Sequence, residues 1–343
     1  MKHTFSHKLL FLTLAASGLL VQTASALITI DTVPVGNAGN ANDTTGYGGV
    51  DYDYGIGKYE VTLNQYTEFL NAVGATDTYG LYNVNMGSNP NIMGISRSGA
   101  SGSYSYSVIG SGNRPVTCVS WYDSARFANW LGNGQPTGAQ AAGTTETGAY
   151  TLTGNTGIIT RNAGWTYSLP SENEWYKAAY HQPVGLGGDS DNYWLYPTAN
   201  NATPNSRNGS LSDPNSGNFY RDDSIANGFN DGYAVSGSTS LSSSQQYLTD
   251  AGAFSLADSF YGTFDQGGNV LEWNDAVNGS SRGLRGGPCY GSEFDLRASF
   301  RYSFFPAFEF EDFGFRVAIV PEPSVAGLMA LGMALVAWKR KGS

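Results

Sequence analysis

The chain has 343 residues, of which 45 are glycine and 22 are tyrosine, and its formal net charge is −10. A chain of this length can bury a large core, and the glycine and aromatic content favours a loop-rich globule over a helical bundle. Because the negative charge would repel a phosphate backbone, no nucleic-acid partner is expected.

The first residues have the pattern of a secretory signal. A basic start from Lys2 to Lys8 precedes an apolar run over residues 9–21, and Ala24-Ser25-Ala26 provides the small residues of a cleavage site. We therefore expect residues 1–26 to be a signal peptide. Export to an oxidising compartment would permit a disulfide between Cys118 and Cys289, the two cysteines of the chain.

Three short amphipathic helices are predicted between residues 61 and 180. Their N-terminal signals are Thr62 and Gln65 as a capping box, Ser120 as an N-cap with Asp123 in the first turn, and Ser171 and Glu174 as a second box. Gly132 is expected to follow the end of the second helix. Residues 132–164 and 182–217, rich in Gly, Asn, Ser, Thr and Pro, are predicted to be irregular surface segments.

Five sequence blocks carry a resemblance to a known family. They are GKYEVTLNQYTEFLNAV, RPVTCVSWYDSARFANWL, SLPSENEWYKAA, FDQGGNVLEW, and LRGGPCYGSEFDLRASFR with GFRVA downstream. In order and spacing they resemble the formylglycine-generating enzyme (sulfatase-modifying factor) family. The resemblance implies one α+β domain over residues 27–320 with a C-type lectin-like fold, loop-rich, with short helices and little regular secondary structure.

The catalytic chemistry of that family depends on two cysteines. The enzyme oxidises a sulfatase cysteine to formylglycine with oxygen and copper(I), and soft thiolates suit copper(I). The matching positions here are Gly291 and Leu296, which have no sulfur. For Cys118 and Cys289 we favour buried free thiols, with a disulfide or a copper pair as alternatives. Copper is thus not expected, and we expect a non-catalytic protein; the alternative is a divergent formylglycine-generating oxidase or another enzyme of the superfamily.

The segment FDQGGNVLEW has the spacing of an oxygen-donor site. Asp265 and Glu272 provide carboxylates, and a glycine-rich bend can turn the carbonyls of Gly268 and Val270 inward. Such hard oxygen donors are the ligands that calcium prefers. The resemblance implies the same four residues as calcium ligands. A tight turn with Trp273 in the core is the alternative.

The resemblance also implies a second calcium site in GNFYRDDSIANGFNDGY. Its ligands would be Asn218, Phe219, Asp231 and Tyr233, with one residue fewer than the family spacing. Because the ion would bind only the folded state, calcium would stabilise a loop-rich chain.

The remaining chemical groups are predicted to have structural roles. Arg297, Arg301 and Arg316 match family arginines, which implies that they join carboxylates and backbone carbonyls inside the fold. His181 is the only histidine outside the signal peptide, so no catalytic histidine cluster is expected. The acidic segment FEFEDF, residues 308–313, is predicted to be a solvated loop.

The C-terminus resembles the PEP-CTERM sorting signal of exported Gram-negative proteins. Pro321-Glu322-Pro323 is followed by an apolar stretch over residues 325–338 and the basic cluster Lys339-Arg340-Lys341. This implies an exosortase-type processing enzyme as a partner and membrane contact through a short helix before processing, with a permanent anchor as the alternative. Residues 1–26 and 321–343 hold five Lys or Arg and one Glu, so their removal lowers the net charge to −14. We expect a protein of the cell envelope, outer surface or extracellular matrix, with extracellular polysaccharide as its ligand.

Overall fold

The computed structural model describes residues 27–152, 154, 157–164, 166–207 and 213–319. The predicted signal peptide and the predicted sorting signal both lie outside these residues. Within the described ranges, no helix is long and apolar enough to cross a membrane.

Short helices and short strands alternate along the chain, separated by long irregular segments. The helices are α1 (Leu63–Val73), α2 (Asn85–Ser88), α3 (Trp121–Gly132) and α4 (Glu172–Tyr180), followed by a 3₁₀ turn at Val184–Leu186. The strands are β1 (Thr32–Val35), β2 (Tyr54–Gly57), β3 (Ile95–Ser98), β4 (Ser105–Val108), β5 (Tyr167–Ser168), β6 (Asn205–Ser206), β7 (Ser216–Gly217), β8 (Tyr220–Asp222), β9 (Asp231–Tyr233), β10 (Leu271–Asn278), β11 (Ser281–Arg285), β12 (Tyr302–Phe304), β13 (Phe313–Gly314) and β14 (Ala318–Ile319). The predicted loop-rich α+β class is confirmed.

Two four-stranded sheets organise the domain. The first has the order β1-β2-β14-β5, so strands near the two ends of the described chain pair with each other. The second has the order β12-β11-β10-β13, in which β10 is antiparallel to β11 and parallel to β13. Three two-stranded ribbons, β3-β4, β6-β7 and β8-β9, complete the described sheets. The second sheet brings together the FDQGGNVLEW, RGGPCYG and FEFEDF segments.

The predicted helix starts are confirmed in atomic detail. At α1, Thr62 and Gln65 exchange side-chain and backbone hydrogen bonds as a capping box. The same reciprocal pattern caps α4 through Ser171 and Glu174. At the start of α3, the carboxylate of Asp123 completes a third such box. Each box satisfies backbone donors that a helix N-terminus leaves free, which makes these starts readable from sequence.

The predicted end of α3 is two residues too early, since Gly132 was expected at the C′ position that Gly134 occupies. Gly132 belongs to the helix, and Asn133 is the C-cap. The side-chain amide of Asn133 donates to the carbonyls of Thr144 and Thr147 at 3.0 and 2.8 Å. Because these bonds fix Asn133, the left-handed position after the helix falls on Gly134, with φ +82°.

Residues 132–164 are irregular as predicted, but part of the segment lies inside the fold. Tyr150 is fully buried, and the carboxylate of Glu146 forms a buried ion pair of 2.7 Å with Arg126 of α3. The amide of Asn129 donates to the Tyr150 carbonyl at 2.9 Å. The prediction of a surface segment is therefore wrong, since side chains of α3 supply the hydrogen bonds that irregular backbone needs when buried.

Aromatic side chains dominate the core. Trp121, Trp175 and Trp273 are fully buried. Between α1 and α3, the rings of Phe69 and Phe127 meet edge to face with centroids 5.4 Å apart. Such pairs bury large apolar areas and prefer this geometry, which explains how a chain with short helices can form a dense core.

Candidate calcium site and aromatic groove

The carboxylate of Glu272 lies fully buried at the centre of the fold. Arg316 binds it through both ends of its guanidinium, with two N–O distances of 2.6 Å. The indole of Trp175 donates to the same carboxylate at 2.7 Å. Arg316 also donates to the carbonyls of Gly57 and Phe264 at 3.0 and 2.9 Å. The predicted structural role of Arg316 is confirmed.

Two more buried carboxylates interact with this ion pair. Burial raises the pKa of Glu60 well above its usual value, and the charge of Asp265 raises it further. Burial also raises the pKa of Asp265 to about 6. Arg316 supplies one positive charge against these two carboxylates and Glu272. If all three were ionised, two negative charges would remain to be balanced by a cation.

One oxygen of this cluster has no partner. Oε2 of Glu60 is buried and finds no hydrogen-bond partner among the described residues, while its Oε1 accepts from Asn269 Nδ2 at 3.3 Å. Buried polar atoms normally have a partner, so this oxygen can bind a cation or carry the proton that the raised pKa of Glu60 favours.

The turn that holds the first predicted donor set contains residues in the left-handed backbone region. Asp265 has a φ of +57°, a left-handed conformation that is costly for a residue with a side chain. Gly268 has a φ of +103°, and a Cβ there would lie 2.5 Å from the Asn218 carbonyl oxygen. No hydrogen bond to the Gly268 or Val270 carbonyl is found within the described part of the chain.

The first donor set offers calcium two carbonyls without a partner among the described residues, while its carboxylates already accept hydrogen bonds, Glu272 from Arg316 and Trp175 and Asp265 from the Gly252 backbone at 2.5 Å. No three His, Cys, Asp or Glu side chains group as a metal site among the residues that the structure describes. A calcium ion here would consequently depend on the carbonyls of Gly268 and Val270 together with Asp265 and Glu272. This mixture of carboxylate and carbonyl oxygens is typical of calcium.

The second predicted set fits calcium less well, because three of its four residues already accept protein hydrogen bonds through their oxygens. The fourth, Asn218, uses its amide nitrogen to donate to the Tyr247 carbonyl at 2.8 Å, which leaves its side-chain oxygen available. The donors to the other three residues are Ser206 Oγ to the Phe219 carbonyl at 2.6 Å, Gly228 N to the Asp231 carboxylate at 2.7 Å, and Gly237 N to the Tyr233 carbonyl at 2.8 Å. An ion would compete with these donors, so this site stays a prediction.

Cys118 and Cys289 are free, and each is only 1% exposed. Burial raises the pKa of Cys118 to about 12 and that of Cys289 well above its usual value. Both side chains are therefore neutral thiols at physiological pH, whereas the thiolate is the form that binds metals. The interpretation as buried free thiols is confirmed, the disulfide is not formed, and the neutral thiols disfavour a copper pair.

A groove of about 450 Å³ opens beside the second sheet. Its lining combines aromatic rings with two carboxylates, and none of the described residues that line it is Lys, Arg, His or Cys. The aromatic residues are Tyr290, Tyr302, Phe304, Phe310 and Phe313. The carboxylates are Asp295 and Asp312. Such a groove can stack against flat or apolar ligand faces and accept hydrogen bonds.

The rings form a packed wall whose outer members face solvent. The centroids of Phe304, Phe310 and Phe313 lie 5.0–5.5 Å from one another. Tyr302 and Phe310 nevertheless remain 39% and 43% exposed, and the adjacent Phe308 is 47% exposed. Contiguous exposed rings of this kind mark an interaction surface.

The segment of residues 308–313 is exposed in part, as predicted, at Phe308, Phe310 and Glu311, whereas Phe313 is buried. Glu309 accepts a hydrogen bond of 2.7 Å from the Asn83 amide, and Glu311 accepts one of 2.5 Å from the Asn89 amide. These bonds anchor the acidic side chains to the loop around α2. They thereby leave Phe308 and Phe310 pointing outward.

Three polar side chains of the groove, Asp295, Asp312 and Tyr290, can form further hydrogen bonds or ion pairs with a ligand. Asp295 accepts from the Ser292 backbone at 2.7 Å, and no ion pair of Asp295 or Asp312 occurs within the described residues. Burial raises the pKa of Asp312 to about 6, and the charge of Glu311 adds to the effect. The hydroxyl of Tyr290 is buried without a hydrogen-bond partner in the described structure.

Comparison with known proteins identifies the domain. A model of the sulfatase-modifying factor enzyme 1-like domain matches residues 49–320. The chain belongs to that family. The predicted formylglycine-generating-enzyme fold is thereby confirmed. No functionally curated protein matches the chain.

Solved structures of similar proteins cover most of this chain. Treponema denticola variable protein 1 is 19% identical, with 87% of this chain and 98% of that chain covered and a TM-score of 0.45. CarF is 21% identical, with coverages of 85% and 99% and a TM-score of 0.47. PvdO from Pseudomonas aeruginosa is 17% identical, with coverages of 85% and 92% and a TM-score of 0.41.

Gly291 and Leu296, the two positions that the sequence analysis matches to the family's copper cysteines, have different surroundings in the structure. Leu296 is 1% exposed and packs in an apolar cluster with Tyr196 and Phe219. Gly291 lines the groove, and a Cβ there would lie 2.7 Å from the Asp295 carboxylate. A side chain at Gly291 would therefore require the groove wall to move.

The remaining predicted arginines divide into one confirmed role and one corrected role. Arg301 binds the carboxylate of Glu172 at 2.7 Å, as expected for a structural arginine of the family. The carboxylate prediction is wrong for Arg297, which donates to the Tyr196 hydroxyl at 3.1 Å and lies over the Phe294 ring at 4.2 Å. The guanidinium of Arg297 thus interacts with the Phe294 ring and the Tyr196 hydroxyl in place of a carboxylate.

Several residues of the two sites were not singled out by sequence analysis. Glu60 belongs to the block GKYEVTLNQYTEFLNAV of the family resemblance. Its place in that block was the available sequence signal that it has a role. Tyr290, Asp295 and Tyr302 flank the copper-cysteine positions, but an isolated Asp or Tyr in a loop carries no chemical pattern of its own. Their convergence becomes visible only when β11, β12 and β13 are placed side by side.

Proposed function

We propose that this protein is an exported, calcium-stabilised and non-catalytic member of its family that binds extracellular polysaccharide in the aromatic groove. The observation that carries the proposal is the groove itself. Of the two positions matched to the family's copper cysteines, Gly291 lines the groove among exposed rings and carboxylates, and Leu296 is buried in the core.

The lining of the groove is suited to sugars. A pyranose ring has an apolar face of C–H groups that packs against aromatic rings such as Tyr302 and Phe310, and its hydroxyls donate to carboxylates. The hydroxyl of Tyr290 supplies a further polar contact. A few convergent polar groups among apolar walls are the usual composition of a small-molecule site.

Oxidase chemistry is not supported by the same residues. Copper(I) held by this family needs two thiolates, and neither matching position supplies a sulfur atom. The two thiols of the chain are buried in the core and neutral, and neither lines the groove. The proposed role is therefore binding rather than cysteine oxidation.

One observation favours an enzyme as a second candidate. Burial raises the pKa of Asp312 to about 6, so this side chain can hold a proton near neutral pH, and Asp295 lines the same groove. A pair of carboxylates that face one groove, one of them with a raised pKa, provides the groups that glycoside hydrolysis uses. Analysis of the sugar after binding separates this candidate from a binding module.

Calcium would be held by Asp265, Gly268, Val270 and Glu272. When bound, the ion supplies positive charge to a buried region that has excess carboxylates. The chain itself fixes the donors through the strained Asp265 turn and the Arg316–Glu272 pair.

The binding proposal is tested with the purified protein on a glycan array, followed by calorimetry with the best ligand. We expect micromolar to millimolar affinity, and a loss of about tenfold on Phe310→Ala, because a stacked ring contributes about 1 kcal/mol or somewhat more. Phe294→Ala is the matched control, since this ring is 53% exposed and does not line the groove. Absence of any glycan binding would refute the proposal, and shortened sugar products would establish the enzyme instead.

A further inference from the structure

The aromatic groove carries negative charge on both of its sides. We propose that it selects a polysaccharide with free amino groups, whose ammonium ions bind Asp312 and Asp295 while the sugar rings stack on the aromatic wall. This inference rests on the proposed polysaccharide-binding function and specifies its ligand class.

The charge of the groove is not neutralised by the protein. The arginines around it are committed elsewhere: Arg285 and Arg301 both bind Glu172 at 2.7 Å, and Arg297 lies over Phe294. No Lys or Arg is found among the described residues of the lining. A carboxylate beside apolar rings and without a cation is poorly solvated, so a ligand cation that reaches it gains a strong interaction.

The field of these carboxylates extends across the groove. After burial, the charges of Asp295 and Asp312 raise the pKa of Tyr302 on β12. The charges of Glu311 and Asp312 likewise contribute to the raised pKa of Tyr290, which lies in the loop after β11. The charge of Asp312 therefore acts on side chains from two different elements of the lining.

The rings strengthen the preference for a cation. Aromatic faces attract ammonium groups that lie within about 6 Å of the ring centroid. Tyr302 and Phe310 expose such faces beside the two carboxylates. An ammonium group on a stacked sugar would thus contact ring and carboxylate together.

Other polysaccharide classes match the groove less well. An anionic chain would be repelled by Asp295, Asp312 and the net charge of the protein, which is −10 for the whole sequence. A neutral chain could stack but would leave the buried part of Asp312 without a charged partner. Electrostatic complementarity therefore distinguishes cationic, anionic and neutral polysaccharides, although all three could stack on the aromatic rings equally well.

The test compares two oligosaccharides with one backbone. Calorimetry with the tetramer of β-1,4-linked glucosamine and with its N-acetylated form is done just above the pKa of Asp312, about 6, where this carboxylate is mostly ionised and the amines still carry protons. It should show binding of the amine about tenfold or more tighter. Raising the salt concentration should reduce this ratio, since partly exposed charges are screened. The acetylated tetramer is the matched ligand control because it retains the stacking face.

Variants of the two groove carboxylates test whether the preference for the amine tetramer arises in the groove. Asp312→Asn and Asp295→Asn should each lower the amine-to-acetyl ratio severalfold and leave binding of the acetylated tetramer nearly unchanged. Asp51→Asn, at an exposed carboxylate outside the groove, should leave the ratio as it is. Thermal melts check that each variant folds. If Asp312→Asn does not fold, Asp295→Asn provides the test alone.

The outcomes separate this inference from the function on which it rests. Equal affinity for the two tetramers, or tighter binding of the acetylated one, overturns the amine preference and leaves polysaccharide binding intact. A preference that survives both Asn variants also overturns it. Binding of neither tetramer, together with binding of another sugar on the array, refutes the ligand class alone, and no sugar binding at all refutes both.

Discussion

Replacing Arg316 with methionine is expected to destabilise the fold by about 3–5 kcal/mol, the cost of removing one partner from a buried ion pair. Arg316 and Glu272 are both completely buried and make two contacts of 2.6 Å. Without the guanidinium, Glu272, Glu60 and Asp265 would form an uncompensated group of carboxylates. The free energy of unfolding, measured in urea for both proteins, provides the comparison.

Arg301→Met is the control for this substitution. Arg301 is 27% exposed and binds Glu172, which keeps a second partner in Arg285. Partly exposed pairs contribute about 0–1 kcal/mol, so this variant should unfold close to the wild type. Equal stability of the two variants would contradict the central position assigned to the Arg316–Glu272 pair.

Calcium is expected to produce the second large effect. At one hundred times its dissociation constant, an ion that binds only the folded protein adds about 2.7 kcal/mol to the free energy of unfolding. The excess carboxylates around Arg316 and the orphan Oε2 of Glu60 are the reason to expect it. Thermal unfolding with calcium and with a chelator measures the difference.

Asp265→Asn isolates the charge of the first donor set. Asn tolerates the left-handed φ of +57° at this position better than most residues, so the turn is preserved while the negative charge is removed. The calcium-dependent stabilisation should then fall strongly. Asp231→Asn is the matched variant in the second set, where a smaller change is expected. An unchanged melting temperature in calcium and chelator would refute the first site.

Local features of the fold could be predicted from sequence because they depend on neighbouring residues. The capping pairs of α1 and α4 join side chains three positions apart, and the chemistry of the pair determines the helix start. The end of α3 lies two residues beyond the predicted one because Asn133 is held by Thr144 and Thr147. That information lies in a loop more than ten positions away.

The two sites differ in how far sequence reasoning could reach. The donor set of residues 265–272 lies on one continuous segment that runs from a turn into β10, so its spacing was readable, although the pairing of Glu272 with Arg316 was not. The groove joins residues from 271 to 313 that meet only in the folded sheet. The exposure of Phe308 and Phe310 depends on hydrogen bonds from Asn83 and Asn89, more than two hundred positions distant in sequence.

The central claim, a family domain without the family's oxidase chemistry, is tested most directly by oxygen uptake. Copper(I) and a sulfatase-motif cysteine peptide are added to the purified protein and to its Cys118→Ala/Cys289→Ala variant, and the peptide is then analysed by mass spectrometry. We expect the same background uptake for both proteins and no formylglycine in the peptide. Copper-dependent formylglycine formation by the natural sequence that disappears in the double variant would contradict the non-catalytic assignment.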